Sequence, residues 1–210
     1  MDRIFDGVVS FREDEYEQHR ELFEKLGKQQ DPHTLFIGCA DSRIVPNLIT
    51  QTMPGELFVV RNIGNIVPPY RNTEEYVATT AAIEYALQVL NIENIIVCGH
   101  SNCGGCAALY QDDAFLSRIP HVRTWLKLTN QVKANVEALH PRDLEHRDWL
   151  TEHLNIVEQL RHLFSYPGVK TRLHEGTLRI LGWYYEIATG EVFNYNPASG
   201  HFDRIENPSS

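Results

Sequence analysis

The chain has few of the features that mark membrane, fibrous or disulfide-stapled proteins. Its longest apolar runs, such as Ile95-Ile96-Val97-Cys98, are far too short to span a bilayer. No internal repeat, low-complexity stretch or Gly/Ser linker divides the 210 residues, which excludes collagen and extended coiled coils and leaves room for one sizeable domain. Met1-Asp2-Arg3-Ile4 opens a mixed polar segment without an apolar h-region, so no secretory leader is expected and the expected compartment is the cytoplasm. Positive charge is also scarce. A formal net charge of -9 argues against nucleic acid as a main partner, and no membrane partner is expected. Only four cysteines are present, Cys39, Cys98, Cys103 and Cys106, too few for a disulfide framework.

The pattern of what is present reads as α/β. Residues 13–26 form an amphipathic helix with Gly27 as its stop. Thr34-Leu35-Phe36-Ile37 and Leu57-Phe58-Val59-Val60 are short apolar runs of the buried-strand kind, and Ile95 to Cys98 is a third. Between the last two, Asn72 and Glu75 have capping-box spacing, followed by Tyr76, Thr80, Ile83, Leu87 and Leu90 on one helical face. Strand, helix and strand in this rhythm predict a central, mostly parallel sheet flanked by helices. Further on, residues 103–110, 117–139 and 141–165 read as helices, the last carrying Leu150, Leu154, Val157 and Phe164. Leu178 to Ile187 and Glu191 to Tyr195 read as an edge strand and hairpin around Thr189-Gly190.

Two segments with reactive side chains fall where predicted parallel strands end, the place where open α/β sheets bind ligands. They are Cys39-Ala40-Asp41-Ser42-Arg43 and His100-Ser101-Asn102-Cys103-Gly104-Gly105. Cys39, His100 and Cys103 would together be an ordinary zinc set with a fourth position left open. Other readings of the same residues stand beside it. Cys103-Gly104-Gly105-Cys106 has the C-x-x-C form of a dithiol redox pair, Cys98 fits a small core hydrophobe, and Asp41 and Arg43 fit a helix cap and a surface ion pair.

Cys39-x-Asp41-Ser42-Arg43, then Arg61-Asn62-Ile63-Gly64-Asn65, then His100-Ser101-x-Cys103-Gly104-Gly105 closely resemble the β-class carbonic anhydrases in order and spacing. The resemblance is strong over residues 30–110 and thinner around Gly182-Trp183-Tyr184. It implies one Zn2+ per chain on Cys39, His100 and Cys103, with Asp41 and Arg43 as a catalytic dyad beside it. It also implies reversible hydration of CO2 to bicarbonate by zinc-bound hydroxide. Gln30, nine residues before Cys39, matches the active-site glutamine of the plant-like branch, and Phe58, Ile63 and Tyr85 match its apolar pocket, with Gly104 also at the substrate. Phe36 stands where a second, bicarbonate-inhibited branch carries Trp, which places the chain nearer the branch with an open metal site.

The implied organisation is a single domain over 1–210, with an N-terminal helical arm (1–30), a zinc-site core (31–110), and helices with an edge hairpin (111–210). The implied partners are CO2 and bicarbonate, and a second copy in a homodimer or a tetramer of dimers. Two alternatives use the same residues: hydrolysis of carbon disulfide or carbonyl sulfide, and a non-catalytic zinc-containing anion-sensing module.

Overall fold

A computed structural model describes residues 2–75 and 77–206. Six strands form one sheet in the order β2-β1-β3-β4-β5-β6: β1 (Thr34–Cys39), β2 (Leu57–Asn62), β3 (Asn94–His100), β4 (Arg179–Tyr185), β5 (Val192–Asn196) and β6 (His201–Arg204). The first four are parallel and the last two antiparallel, so the mostly parallel α/β sheet expected from the sequence is the observed fold. One expectation changes. The strand from Leu178 is interior, hydrogen-bonded to β3 on one side and β5 on the other, and the edges are β2 and β6.

Helices α1 (Asp2–Ser10), α2 (Tyr16–Gln18) and α3 (Arg20–Leu26) make the N-terminal arm, with a π-helical turn over Phe11–Glu15. The arm is helical from Asp2 rather than from residue 13, and α1 buries no residue. Next come α4 (Pro46–Thr50), α5 (Ala78–Gln88), α6 (Gly104–Ala107), α7 (Asp113–Ser117), α8 (Pro120–Leu126), α9 (Asn130–Ala138), α10 (Leu144–Leu163) and α11 (Val169–His174). Helix α5 starts at Ala78, so the Asn72–Glu75 capping box does not form. Glu75 instead pairs with Arg71, and its N–H donates to the Thr73 hydroxyl. Tyr76 lies outside the described residues. The continuous helix expected over 117–139 is broken into shorter pieces, one break falling at Pro120, which opens α8 because its ring suits a first-turn position. Helix α10 is capped by the Asp143 carboxylate, which accepts from the His146 N–H at 2.8 Å.

The main core lies on the sheet face covered by α5 and α10. Leu35, Ile37, Ile95 and Val97 meet Ile83, Ala86, Leu87, Ile156 and Leu163 there. The other face holds Phe36, Ile96 and Cys98 with Leu57, Leu181, Trp183 and Tyr185, and Cys98 is the small core residue its apolar run suggested. Alternation along β1 and β3 therefore loads both faces, as buried parallel strands must. Its functional consequence is at the strand ends: β1 finishes on Cys39 and β3 on His100. No helix among the described residues is long and apolar enough to cross a membrane.

Candidate metal centre

Three ligand-type side chains converge at the carboxyl edge of the sheet. The strands β1 and β3 are direct neighbours, with Gly38 opposite Cys98, so Cys39 and His100 leave the sheet side by side. The chain then turns through Ser101 and Asn102, the latter in the left-handed region at φ 55°, and delivers Cys103 as N-cap of α6. Asparagine tolerates that conformation better than most side chains. Sulfur and nitrogen atoms of Cys39, His100 and Cys103 all lie within 4.8 Å of one another, and all three residues are buried. Cys106 packs against the two cysteines, while Cys98 belongs to a different cluster.

The group suits a zinc ion on three counts. The two sulfurs are 3.9 Å apart, close to the ~3.8 Å that two thiolates take at ~2.3 Å from a tetrahedral zinc. His100 Nδ1 sits 2.9 Å from the Ser101 carbonyl, which makes it the protonated nitrogen and leaves Nε2 as the lone pair. That Nε2 is buried and has no protein partner. Finally, the Cys39 thiol is pushed up to about 12, first by its neighbour Cys103 and then by burial, and Cys103 is raised beside Cys106. Thiols crowded and buried in this way become thiolates only when a cation compensates them.

Asp41 and Arg43 stand beside this group on the loop after β1. Arg43 grips the carboxylate with both arms, Nε donating to Oδ1 and NH2 to Oδ2 at 2.8 Å each, and its backbone N–H adds a third bond to Oδ1 at 3.0 Å. Those bonds hold the Asp41 carboxyl far below the usual carboxylate range. Asp41 Oδ2 is 3.9 Å from His100 Nε2, so the ionised carboxylate borders the ligand cluster. Arg43 also donates to the Asn102 carbonyl at 3.0 Å, tying its loop to the one that carries Cys103.

The remaining pocket residues fall into two groups. Ile63 follows β2 directly and helps line an open cleft of about 410 Å³ with Ala40, Asn62, His121, Val122 and Trp125, next to Cys39. Gly104 opens α6 with empty space where a side chain would start. Its neighbour Gly105 is the tighter position, because a Cβ there would lie 2.9 Å from the Gly64 nitrogen. Gln30, Phe58 and Tyr85 are elsewhere. Phe58 pairs with Leu35, four residues before Cys39, which is a separation of ~13 Å along a strand. The Tyr85 ring lies tilted against Phe58 with centroids 6.0 Å apart, and Gln30 precedes β1 at its opposite end. One chain therefore brings Ile63 and Gly104 to the cluster, and leaves Gln30, Phe58 and Tyr85 toward the other end of the sheet.

Several residues at the centre were not singled out from the sequence as part of it. Arg61 donates to the carbonyls of Cys39 and Asp41, pinning the turn after β1. The Ser101 hydroxyl donates to Glu186 at 2.7 Å and accepts from the Ile187 N–H, which fixes the turn after β3 to the end of β4. Glu152 of α10 accepts from the Cys103 N–H. Arg61 was visible inside a quoted motif, whereas Glu152 and Glu186 are far from the ligands in sequence and carried no local signal.

Comparison with known proteins agrees with this geometry. Residues 34–192 match the family model for carbonic anhydrase. A carbonic anhydrase of Helicobacter pylori strain J99 is 44% identical over 96% of this chain and 93% of its own length. One from Synechocystis is also 44% identical, over 93% of this chain and 71% of its own. Among solved structures, the β-carbonic anhydrase CcaA superposes with a TM-score of 0.93 at 41% identity, over 99% of this chain and 93% of that one. A tetrameric β-carbonic anhydrase from the fungus Sordaria macrospora gives 0.79 at 30% identity, over 91% and 94%. The chain belongs to the carbonic anhydrase family, as an enzyme of its β class.

Proposed function

We propose that this enzyme interconverts CO2 and bicarbonate at one zinc ion held by Cys39, His100 and Cys103. The observation that carries the reading is the meeting of two buried thiols and a partnerless imidazole nitrogen beside an ionised Asp41. When bound, zinc supplies a nucleophile at neutral pH by lowering the pKa of water toward 7. The protein's own contribution is positioning. Asp41 Oδ2, which borders the cluster, would accept a hydrogen bond from the nucleophile and orient it toward CO2. Arg43 keeps Asp41 charged and, by donating to both carboxylate oxygens, would hold it back from ligating a bound metal. Ile63 and its cleft supply an apolar approach for a small uncharged substrate.

Gln30, Phe58 and Tyr85 serve such a site only across a subunit interface, with Gln30 donating to a bicarbonate oxygen and the two rings excluding water. Support comes from their placement away from their own chain's cluster and from the half-open Phe58–Tyr85 pair, Tyr85 being 44% exposed. The arm supports the same assembly, a homodimer or a tetramer of dimers. Ile4, Phe5, Val8 and Val9 of α1 are all more than half exposed, an apolar face that a second copy would cover.

Stopped-flow CO2 hydration on zinc-loaded protein, run beside a carbon disulfide assay, tests the reading. Hydration should be rapid, with carbon disulfide turned over far more slowly. Replacing Arg43 by Ala should lower hydration by about 100-fold through loss of Asp41 orientation, with zinc content unchanged. Faster carbon disulfide hydrolysis, or no hydration by zinc-loaded protein, would overturn the assignment.

A further inference from the structure

The face of α10 that meets the sheet is polar along much of its length. Glu152, Asn155 and Gln159 are all buried, and spacings of three and four place them on one side of the helix. Each is bonded to the backbone of a loop at the carboxyl edge. Glu152 Oε1 accepts from the Cys103 N–H at 2.9 Å, and its Oε2 accepts from the Tyr184 hydroxyl at 3.1 Å. Asn155 donates to the Gly64 carbonyl at 2.9 Å. Gln159 accepts from the Val67 N–H at 2.9 Å and donates to Asn155 at 2.8 Å. A single 20-residue helix thus holds both the loop carrying Cys103 and the loop after β2, which touch where Gly105 abuts Gly64.

Packing alone does not account for a carboxylate at 152. Burying one is expensive, and an apolar side chain of similar size fills a core more cheaply. What an apolar side chain cannot do is accept the Cys103 N–H, which would be left buried and unpaired. Cys103 is also the group most in need of an anchor. Cys39 and His100 are held by strand neighbours, whereas Cys103 follows a left-handed Asn102 and caps a helix of four residues.

We propose that Glu152 is a positioning residue for the metal ligand Cys103, with Tyr184 holding the carboxylate in place. The inference rests on the reading of Cys39, His100 and Cys103 as zinc ligands. Zinc-loaded wild type, Glu152→Gln, Glu152→Leu and Tyr184→Phe should be compared by the rate of zinc release to a chromophoric chelator. The thiolate-to-metal absorption band of the cobalt(II)-substituted proteins gives a second readout, independent of activity.

Glutamine keeps an acceptor for Cys103, so its release rate should stay within about threefold of wild type and its cobalt band unshifted. Leucine should release zinc about 10- to 100-fold faster, the usual effect of losing an outer-shell partner, with a shifted band. Tyr184→Phe removes only the second tether and should fall between them. A folded Glu152→Leu protein with wild-type release and spectrum would overturn the proposal, as would Gln releasing zinc as fast as Leu. Should the Leu variant not fold, unchanged release from Tyr184→Phe would overturn it equally. Wild type that takes up no stoichiometric zinc would overturn the zinc reading too, a result distinct from the failure of Glu152 alone.

Discussion

The two ends of the sheet are built to different degrees of completion. At the carboxyl end, Cys39, His100 and Cys103 are buried, and the turns that carry them are tied down by Arg61, Glu186 and Glu152. Two buried side chains there keep unpartnered polar atoms among the described residues: His100 Nε2, which borders the two cysteines, and the Asn65 amide on the turn after β2. At the amino end and along the β2 edge, Gln30 is exposed and Tyr85 is half-open, and in the N-terminal arm α1 buries nothing. On the proposed reading, a centre that must hold three ligands within a few tenths of an ångström is assembled within one chain, and groups that need only to approach it would be brought by another copy.

The largest expected effect breaks the finished end. Cys103→Ser should lose most of the zinc and with it the hydration activity, since a neutral hydroxyl replaces a thiolate ligand. Cys106→Ser should keep its zinc, although Cys106 packs against the same two sulfurs. Elemental analysis of the two purified variants is the measurement. Equal zinc loss in both would mean that Cys106 belongs to the ligand set, and the boundary drawn around the centre would be wrong.

An intermediate effect tests whether the two ends work together only in an assembly. Gln30→Ala should lower activity about 10-fold by removing a donor to the product oxygen, and Cys39→Ser should abolish it by removing a zinc ligand. If Gln30 serves the partner's centre, refolding the two variants together restores one complete centre in each mixed dimer. Activity should then rise to about a quarter of wild type, as half of the dimers are mixed and each has one working site of two. No recovery in a mixture that light scattering shows to be dimeric would place Gln30 in its own chain's site instead.

The difference between the two ends also decides what could be read before the structure. The strands, and the meeting of Cys39 and His100 at their ends, were legible because apolar runs mark buried parallel strands and these residues close those runs. Three-dimensional placement was not legible: Gln30 is only nine residues from Cys39, yet β1 runs between them and carries them to opposite ends. Helix α10 misled for another reason. Apolar periodicity selects Leu150, Leu154 and Val157, but these line an aromatic cavity under the β5–β6 hairpin, and the deeply buried face is Glu152, Asn155, Ile156 and Gln159. A periodicity argument assumes that buried means apolar, and it fails where a helix is bonded to loop backbone. The strand β6 was missed because it is only four residues long, with Phe202 alone turned inward.

The smallest expected effect concerns an acid sensitivity of the finished end. His153 follows Glu152 on α10 and is nearly buried, its ring tilted against Tyr184 at 4.0 Å and Trp149 at 4.1 Å, with Phe202 edge-on at 4.7 Å. Its Nδ1 is engaged by the Trp149 carbonyl at 2.8 Å. Burial lowers its pKa from 6.5 to about 4, so the folded chain keeps it neutral where the unfolded chain would protonate it. The sign follows from which state binds more protons. Above pH 6.5 neither state is protonated and the contribution is whole. As pH falls from 6.5 toward 4 the unfolded state gains a proton first, and stability is lost, by about 3 kcal/mol at most. Glu152 works in the opposite direction, since burial raises it to about 7 and the folded chain then holds the extra proton. His153→Phe isolates the histidine, because Glu152 and the zinc ligands are common to both proteins. Thermal unfolding of zinc-loaded wild type and variant from pH 7 to pH 4 should show wild type losing stability relative to the variant across that window. A difference between them that stays constant with pH would mean that His153 is protonated in the fold as readily as out of it.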